Sequence, residues 1–232
     1  MSNEVIYDLY SCAGGAAVGY KRAGFRTVIG VDNRPSPRYP FEFHQADALE
    51  VLRALARGRR PWPGAPWPTA IHSSPPCQFK ALATLSQRLA GAEYPDLIGP
   101  TRDLLEQVGV PWIIENVPGA SLRPDIRLCG CQFGLTLPGV GYLKRERWFE
   151  TSWHGFYLEM PHVHRGRAIS IAGHGTPSWM REKTGHIGVA EWRQVMGVDW
   201  TTRAELTEAL PPAFTKYVGG LLLERVAFKE AA

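Results

Sequence analysis

Apolar residues in the first half of the chain fall in short, nearly unbroken runs separated by turn residues. Val5 to Leu9, Thr27 to Val31, Thr69 to Ser73 and Trp112 to Ile114 are such runs. They read as strands buried on both faces. Between them the pattern shifts to a helical period. A helix is expected from about Ala16 to Ala23, ended by Gly24. A second opens at Asp47 and runs to about Ala56, with Leu49, Leu52 and Leu55 on one face. Further helices are expected near 81–90 and 96–108. Strand–helix alternation of this kind predicts an α/β fold with a doubly wound, mostly parallel sheet. Pro35, Pro37 and Pro40 make the segment after Asp32 irregular, and the Pro- and Trp-rich stretch 61–68 reads as a surface connection. Beyond Asn116 short strands are expected at 126–129, 146–151 and 167–172, then helices at about 190–196, 202–209 and 212–227.

Candidate chemistry gathers at strand ends. Ser74-Pro75-Pro76-Cys77-Gln78 follows the third apolar run directly. Two prolines fix φ and restrict the residues before them, so the Cys77 thiol sits on a stiff turn. It lies at the carboxyl edge of the sheet, where open α/β folds bind ligands. A thiolate is a strong nucleophile even as a few per cent of the thiol population. An isolated cysteine in such a turn is more often structural, but four other segments converge on it.

The first is Asp8-Leu9-Tyr10-Ser11-Cys12-Ala13-Gly14-Gly15, which joins the first strand to the first helix. Its glycines let backbone approach a ligand. Asp32, ending the second strand, can accept hydrogen bonds from ribose hydroxyls. Asp47 can accept from an adenine amino group or serve as a helix N-cap, and the two roles can coexist. The turn lacks G-x-G-x-x-G, which argues against a nicotinamide cofactor and favours an adenosyl group without pyrophosphate. Glu115-Asn116-Val117 brings a carboxyl to the end of the fourth run, placed to share a proton with a ring nitrogen. In a strand through Lys144-Arg145-Glu146-Arg147, Arg145 and Arg147 share a face, and one of them can reach the site. Either arginine taken alone would read as an exposed ion pair.

Composition adds bounds. The 232 residues are 44% hydrophobic, with a net charge of +4. That permits a real core and tolerates a nucleic-acid partner. Four cysteines, unevenly spaced, form no disulfide framework. Cys129 and Cys131 with His154, His162, His164, His174 and His186 raise the question of zinc, but their spacing matches no usual ligand pattern, so no metal is expected. Met1 to Glu4 shows no signal peptide, and no apolar run nears the ~20 residues of a membrane span. A cytoplasmic protein without membrane partners is expected.

In combination these stretches resemble the DNA (cytosine-5-)-methyltransferase family in its compact, bacteriophage-like form. The glycine turn, Pro75-Pro76-Cys77-Gln78, Glu115-Asn116-Val117 and Arg145-x-Arg147 occur in family order. Arg193-Gln194-Val195-Met196-Gly197 and Glu208-Ala209-Leu210-Pro211-Pro212 resemble the family's carboxyl end. The resemblance implies an S-adenosylmethionine-dependent methyltransferase of Rossmann-like fold acting on double-stranded DNA as a monomer, and releasing S-adenosylhomocysteine. Cys77, Glu115, Arg147 and Arg145 would be catalytic. Asp8, Tyr10, Ser11, Cys12, Ala13, Gly14, Gly15, Asp32, Asn33, Asp47, Ala48, Ser74, Pro76 and Glu208 would bind the cofactor. Gln78, Phe79, Lys80 and Asn116 would bind substrate. Residues 1–151 would form the core, 152–188 a reduced target-recognition segment, and 189–232 helices returning to the core. Departures from the family pattern are Cys12 at a usual glycine, Leu143 at a usual glutamine and Glu208 at a usual asparagine. A related enzyme acting on RNA or a free pyrimidine nucleotide, or a catalytically silent DNA-binding relative, remain the alternatives.

Overall fold

A computed structural model describes residues 4–76, 95–153, 162–164, 166–171 and 187–231. The expected helix near 81–90 and the Cys77 turn lie outside the described residues, as does most of 152–188. The four apolar runs form β1 (Val5–Leu9), β2 (Thr27–Asp32), β4 (Ala70–Ser73) and β5 (Trp112–Asn116). With β3 (Glu42–Gln45), β6 (Ile126–Leu128) and β9 (Arg147–Thr151) they make one seven-stranded sheet of order β3-β2-β1-β4-β5-β9-β6. The first five strands pair in parallel, and β9 runs antiparallel to both its neighbours. The sheet is mostly parallel, as the alternation predicts.

Two strand features were not expected. β3 is an exposed edge strand, so Glu42-Phe43-His44-Gln45 shows no apolar pattern to read. β7 (Thr136–Leu137), β8 (Gly141–Leu143) and β10 (Ala168–Ile169) form a second, three-stranded sheet of order β10-β8-β7. Strands this short carry too few residues for periodicity to register. The expected strand at 167–172 is reduced to β10.

Side-chain alternation along the strands separates two cores. Val5, Tyr7, Leu9, Ile29, Val31, Ile71, Trp112 and Ile114 pack with α2 (Ala48–Ala56) and α3 (Ile98–Val108). Ile6, Val28, Ala70, Ile113 and Phe149 face the other way, toward α1 (Gly15–Ala23) and α6 (Pro212–Ala231). The carboxyl end therefore returns to the first helix. Contact there is close because Gly19 has no Cβ; one would collide with the Pro212 carbonyl oxygen, Thr215 Oγ1 and Lys216 N. Thr215 Oγ1 instead donates to the Ala16 carbonyl at 2.9 Å. A third cluster joins β7, β8 and β10 to α4 (Val189–Met196) and α5 (Arg203–Glu208). Among the described residues no helix is long and apolar enough to cross a membrane.

Overpacking a tight core typically costs about 1–3 kcal/mol. Gly19→Leu should lose at least that much, read as a lower urea midpoint. An unchanged midpoint would show that α1 and α6 do not depend on this contact.

Candidate active site

Strand order reverses direction of build at β1: β2 and β3 lie on one side, β4 and β5 on the other. Crevices at such a switch point, outside the carboxyl strand ends, are where open α/β sheets bind ligands. The glycine turn leaves β1 here, and Ser74-Pro75-Pro76 leaves β4 beside it. The two turns are joined, since Ser74 N donates to the Leu9 carbonyl at 3.1 Å.

Beneath them lies a buried polar network. Asp8 and His72 are opposite each other in the β1–β4 register, and Asp8 Oδ1 lies 2.8 Å from His72 Nδ1, with both residues 0% exposed. Tyr39 donates its hydroxyl to Asp8 Oδ2 at 3.0 Å, and burial beside that carboxylate holds the phenol protonated. Ser74 Oγ lies 3.3 Å from His72 Nε2, and the Tyr20 ring covers the imidazole at 5.1 Å. Asp8 was expected to touch the cofactor. Strand alternation instead turns it under the sheet, where both its oxygens are engaged by protein.

The glycine turn is strained. Tyr10 (φ 57°) and Cys12 (φ 46°) are the positive-φ non-glycine residues of the described chain, and Gly14 (φ 80°) follows. Such conformations cost about 1–3 kcal/mol each and cluster at ligand sites. They also explain why a glycine suits position 12. At Gly14 a Cβ would crowd Pro40 Cδ and the Tyr39 ring. Cys12 N donates to Asp32 Oδ2 and Arg34 N to Asp32 Oδ1, each at 2.9 Å. A carboxylate accepts about four hydrogen bonds, so Asp32 keeps capacity for a diol. Burial, with Asp32 and Glu208 nearby, pushes the Cys12 thiol up to about 12, so it is not a thiolate at neutral pH.

A cavity of about 120 Å³ opens beside this turn, lined by Cys12, Ala13, Asp32, Arg34, Ser36, Ala204, Glu205 and Glu208. The β2–β3 connection straps across it to α5. Arg34 pairs with Glu208 at 2.9 Å, and Arg38 grips both oxygens of Glu205 at 2.8 and 3.1 Å. Trp200 closes the back by donating Nε1 to the Ala13 carbonyl at 2.7 Å. Arg34, Ser36, Ala204 and Glu205 were not expected from sequence, because only this strap brings them to the turn. Ser11 Oγ is buried with no hydrogen-bond partner among the described residues. An orphaned hydroxyl, a strand-end carboxylate and an open turn fit an adenosyl-type ligand with a polar tail.

Other expected cofactor residues are placed variously. Asp47 caps α2, accepting from Glu50 N at 3.0 Å, and is exposed. Tyr10 bonds Thr101 Oγ1 at 3.0 Å on the α3 side of the turn. Ala48 is buried in the α2 core. Asn33 and Pro76 are exposed.

On the other side of the Pro turn, Glu115 and Arg147 meet. Arg147 Nε lies 2.9 Å from Glu115 Oε1, with the glutamate side chain 8% exposed. That contact is a close ion pair without hydrogen-bond geometry, so Oε1 has no hydrogen bond among the described residues. A buried carboxyl oxygen with no internal hydrogen bond is free to share one with an external group.

Asn116 was expected at the substrate. Its amide is spent inside the protein: Nδ2 donates to the Pro75 carbonyl at 2.8 Å and Oδ1 accepts from Val117 N at 2.9 Å. It is a positioning residue that sets the Pro turn against β5. Arg145 was expected to share a face with Arg147. It lies before β9 begins, and its guanidinium donates to the Thr207, Ala209 and Ile171 carbonyls, anchoring the end of α5. Only a tertiary contact turns it away. Cys77, Gln78, Phe79 and Lys80 lie outside the described residues.

No protein-family model and no curated protein sequence matches the chain. Solved structures do. A putative DNA modification methyltransferase encoded in an Escherichia coli prophage superposes with a TM-score of 0.58 at 12% identity, covering 97% of this chain and 99% of that one. Entamoeba histolytica methyltransferase EhMeth gives 0.59 at 13% identity, with coverage of 97% and 99%. Schizosaccharomyces pombe Dnmt2 methyltransferase gives 0.57 at 14%, with coverage of 97% and 99%. The chain therefore has the Rossmann-like fold of these methyltransferases over nearly its whole length.

The strap has a pH signature. Arg38 and the Thr202 cap hold the Glu205 carboxyl down to about 2, below its ordinary 4.5. A depressed carboxyl stabilises the fold above its unfolded value and loses that contribution as pH falls through the folded one. The stability gap between wild type and Glu205→Gln should be full at pH 7 and close between about pH 4.5 and 2, followed by thermal melts. A gap independent of pH would disconnect Glu205 from the strap.

Proposed function

We propose that the chain is an S-adenosylmethionine-dependent methyltransferase that modifies carbon 5 of cytosine in double-stranded DNA. The observation that carries this reading is the Glu115–Arg147 pair at the carboxyl end of β5, with Asn116 holding the Pro75–Pro76 turn against it. Pro75, held by Asn116, lies next to the strand that ends in this pair, which supports a role for Cys77, two residues further on, at the same edge. The neighbours' fold and the family-like order of motifs support the same chemistry.

S-adenosylmethionine, when bound, supplies an electrophilic methyl group. Asp32 would accept from its ribose hydroxyls, with Ser11 and Glu208 toward its polar parts. The base must leave the duplex to reach the site, at a cost of a few kcal/mol. The Cys77 thiolate then adds to carbon 6, forming a C–S bond and making carbon 5 enamine-like. Glu115 hydrogen-bonds ring nitrogen 3 and supplies the proton that neutralises the ring, while Arg147 orients the carbonyl oxygen. Carbon 5 would take the methyl group, leaving S-adenosylhomocysteine. A water-derived base would then take the carbon 5 proton, the C–S bond would break to release the thiolate, and ring nitrogen 3 would return its proton to Glu115 as the base becomes aromatic. Gln78, Phe79 and Lys80 would close over the extruded base. Cations of 144–188 would contact phosphates, making binding salt-dependent.

Incubation with labelled S-adenosylmethionine and separate pools of duplex DNA, RNA and free nucleotides, followed by nucleoside analysis, tests the reading. 5-Methylcytosine in DNA is expected. Label confined to RNA or free nucleotides would move the substrate class, and no transfer anywhere would leave a silent binding protein. Cys77→Ala should abolish transfer, and Glu115→Gln should slow it by about 10²–10⁴-fold, the usual weight of general acid catalysis. Less than about threefold for the glutamine variant would make Glu115 structural. Asp32→Ala should weaken S-adenosylmethionine binding by roughly 1.5–3 kcal/mol, the worth of a charged hydrogen bond. Calorimetry showing unchanged affinity would remove the adenosyl group from this edge.

A further inference from the structure

Sequence spacing gave no reason to expect a metal, yet the fold gathers four potential ligands. Cys129 follows β6, and Cys131 lies in the 3-10 turn Gly130–Phe133. His162 and His164 come from a segment more than thirty positions later. One ligand atom from each of the four lies within 4.8 Å of all the others.

The dimensions suit a single ion. Tetrahedral zinc with Zn–S of about 2.3 Å and Zn–N of about 2.05 Å sets sulfur and nitrogen roughly 3.6 Å apart. The Cys129 Sγ to His164 Nε2 distance is 3.6 Å. Cys129 is the extended N-cap of the 3-10 turn and Cys131 lies within its first turn, so the turn itself brings the two sulfurs to one side. Cys129 is buried, Cys131 half-buried and the two histidines exposed, so the cluster lies at the protein surface. The two imidazoles stand at 89° with centroids 4.4 Å apart, and Tyr142 stacks on His164 at 5.0 Å. The cysteine loop is equally prepared. Gln132 Oε1 accepts from Cys129 N at 2.6 Å, and the loop closes through Leu135 N to the Gly130 carbonyl at 3.1 Å. The histidine segment is delivered by β-pairing, with Tyr142 N donating to the Arg167 carbonyl at 2.8 Å.

We propose that Cys129, Cys131, His162 and His164 form a structural zinc site. Two thiolates and two imidazoles select zinc over hard cations. Four protein ligands leave no open position, so the ion is structural rather than catalytic. A two-iron cluster with cysteines on one iron and histidines on the other would hold the pairs apart, whereas here all four atoms converge. Leu128, just before the cysteine loop, pairs with Arg147 in the β6–β9 register. The ion thus pins the chain that follows β9 to the end of the edge strand β6, beside Arg147. The site stands independently of the methyltransferase reading.

The full-length protein, purified under reducing conditions without chelator, should contain about one zinc per chain by elemental mass spectrometry. After stripping, cobalt(II) titration should give the strong visible bands of a tetrahedral site with thiolate charge transfer, and zinc should displace them. Cys131→Ser and His162→Ala should weaken cobalt binding by more than the ~10–100-fold cost of losing an outer-shell partner, whereas Cys12→Ser should bind as wild type. If a ligand variant fails to fold, the wild-type cobalt spectrum still decides. Folded, reduced wild type with neither zinc nor a tetrahedral cobalt spectrum would overturn the site. So would a Cys129–Cys131 disulfide in the purified protein, or full metal retention in Cys129→Ser/Cys131→Ser.

Discussion

The Asp8–His72 pair is the constraint around which the site is arranged. Two polar side chains with no solvent contact face each other across β1 and β4, at the centre of the sheet. Removing one partner of a buried hydrogen bond typically costs about 1–3 kcal/mol, because the other is left unsatisfied. A register slip of one residue between β1 and β4 would put the two on opposite faces of the sheet. The pair therefore fixes which turn leaves β1 beside which turn leaves β4. Tyr39 and Ser74 extend the lock to the β2–β3 connection and to the Pro turn.

Function is built on top of this lock by elements distant in sequence. The strap from β2 to β3 reaches α5 through Arg34–Glu208 and Arg38–Glu205, walling one side of the crevice. The carboxyl helix returns to α1, and Trp200 seals the glycine turn from behind. Arg145 ties the end of α5 to the segment before β9, so the strand carrying Arg147 and the wall carrying Glu208 are mechanically one unit. On the far edge a bidentate Arg102–Glu150 pair at 2.7 Å fastens β9 to α3. The strand that carries Arg147 is thus tied on one side to α5 and on the other to α3.

Elements with long apolar runs or a clear helical period were legible in the chain. Val5–Leu9 and Trp112–Asn116 are strands because β-branched and aromatic residues crowd into buried stretches, and Asp47 caps α2 as its type predicts. Strand ends are equally readable, and Asp32, Glu115 and the Pro75–Pro76 turn lie at the carboxyl ends of β2, β5 and β4 as the pattern predicts. Alternation put Arg145 and Arg147 on one face, whereas the structure sets Arg147 against Glu115 and Arg145 against the Thr207 and Ala209 carbonyls.

What sequence left open was decided by contacts between segments remote along the chain. Asp8 and Asn116 look like ligands because they are polar residues at strand ends, yet burial obliges each to satisfy a partner inside the protein. His72 hides within an apolar run, and its meaning comes only from facing Asp8 across a parallel ladder. Cys129, Cys131, His162 and His164 match no linear metal motif, because their convergence depends on β8 and β10 pairing. Local patterns determine elements and their ends, since those follow from the side chains' own periodicity. Which polar groups meet, and so which are spent on the fold and which remain for chemistry, depends on register and packing that only the tertiary structure supplies.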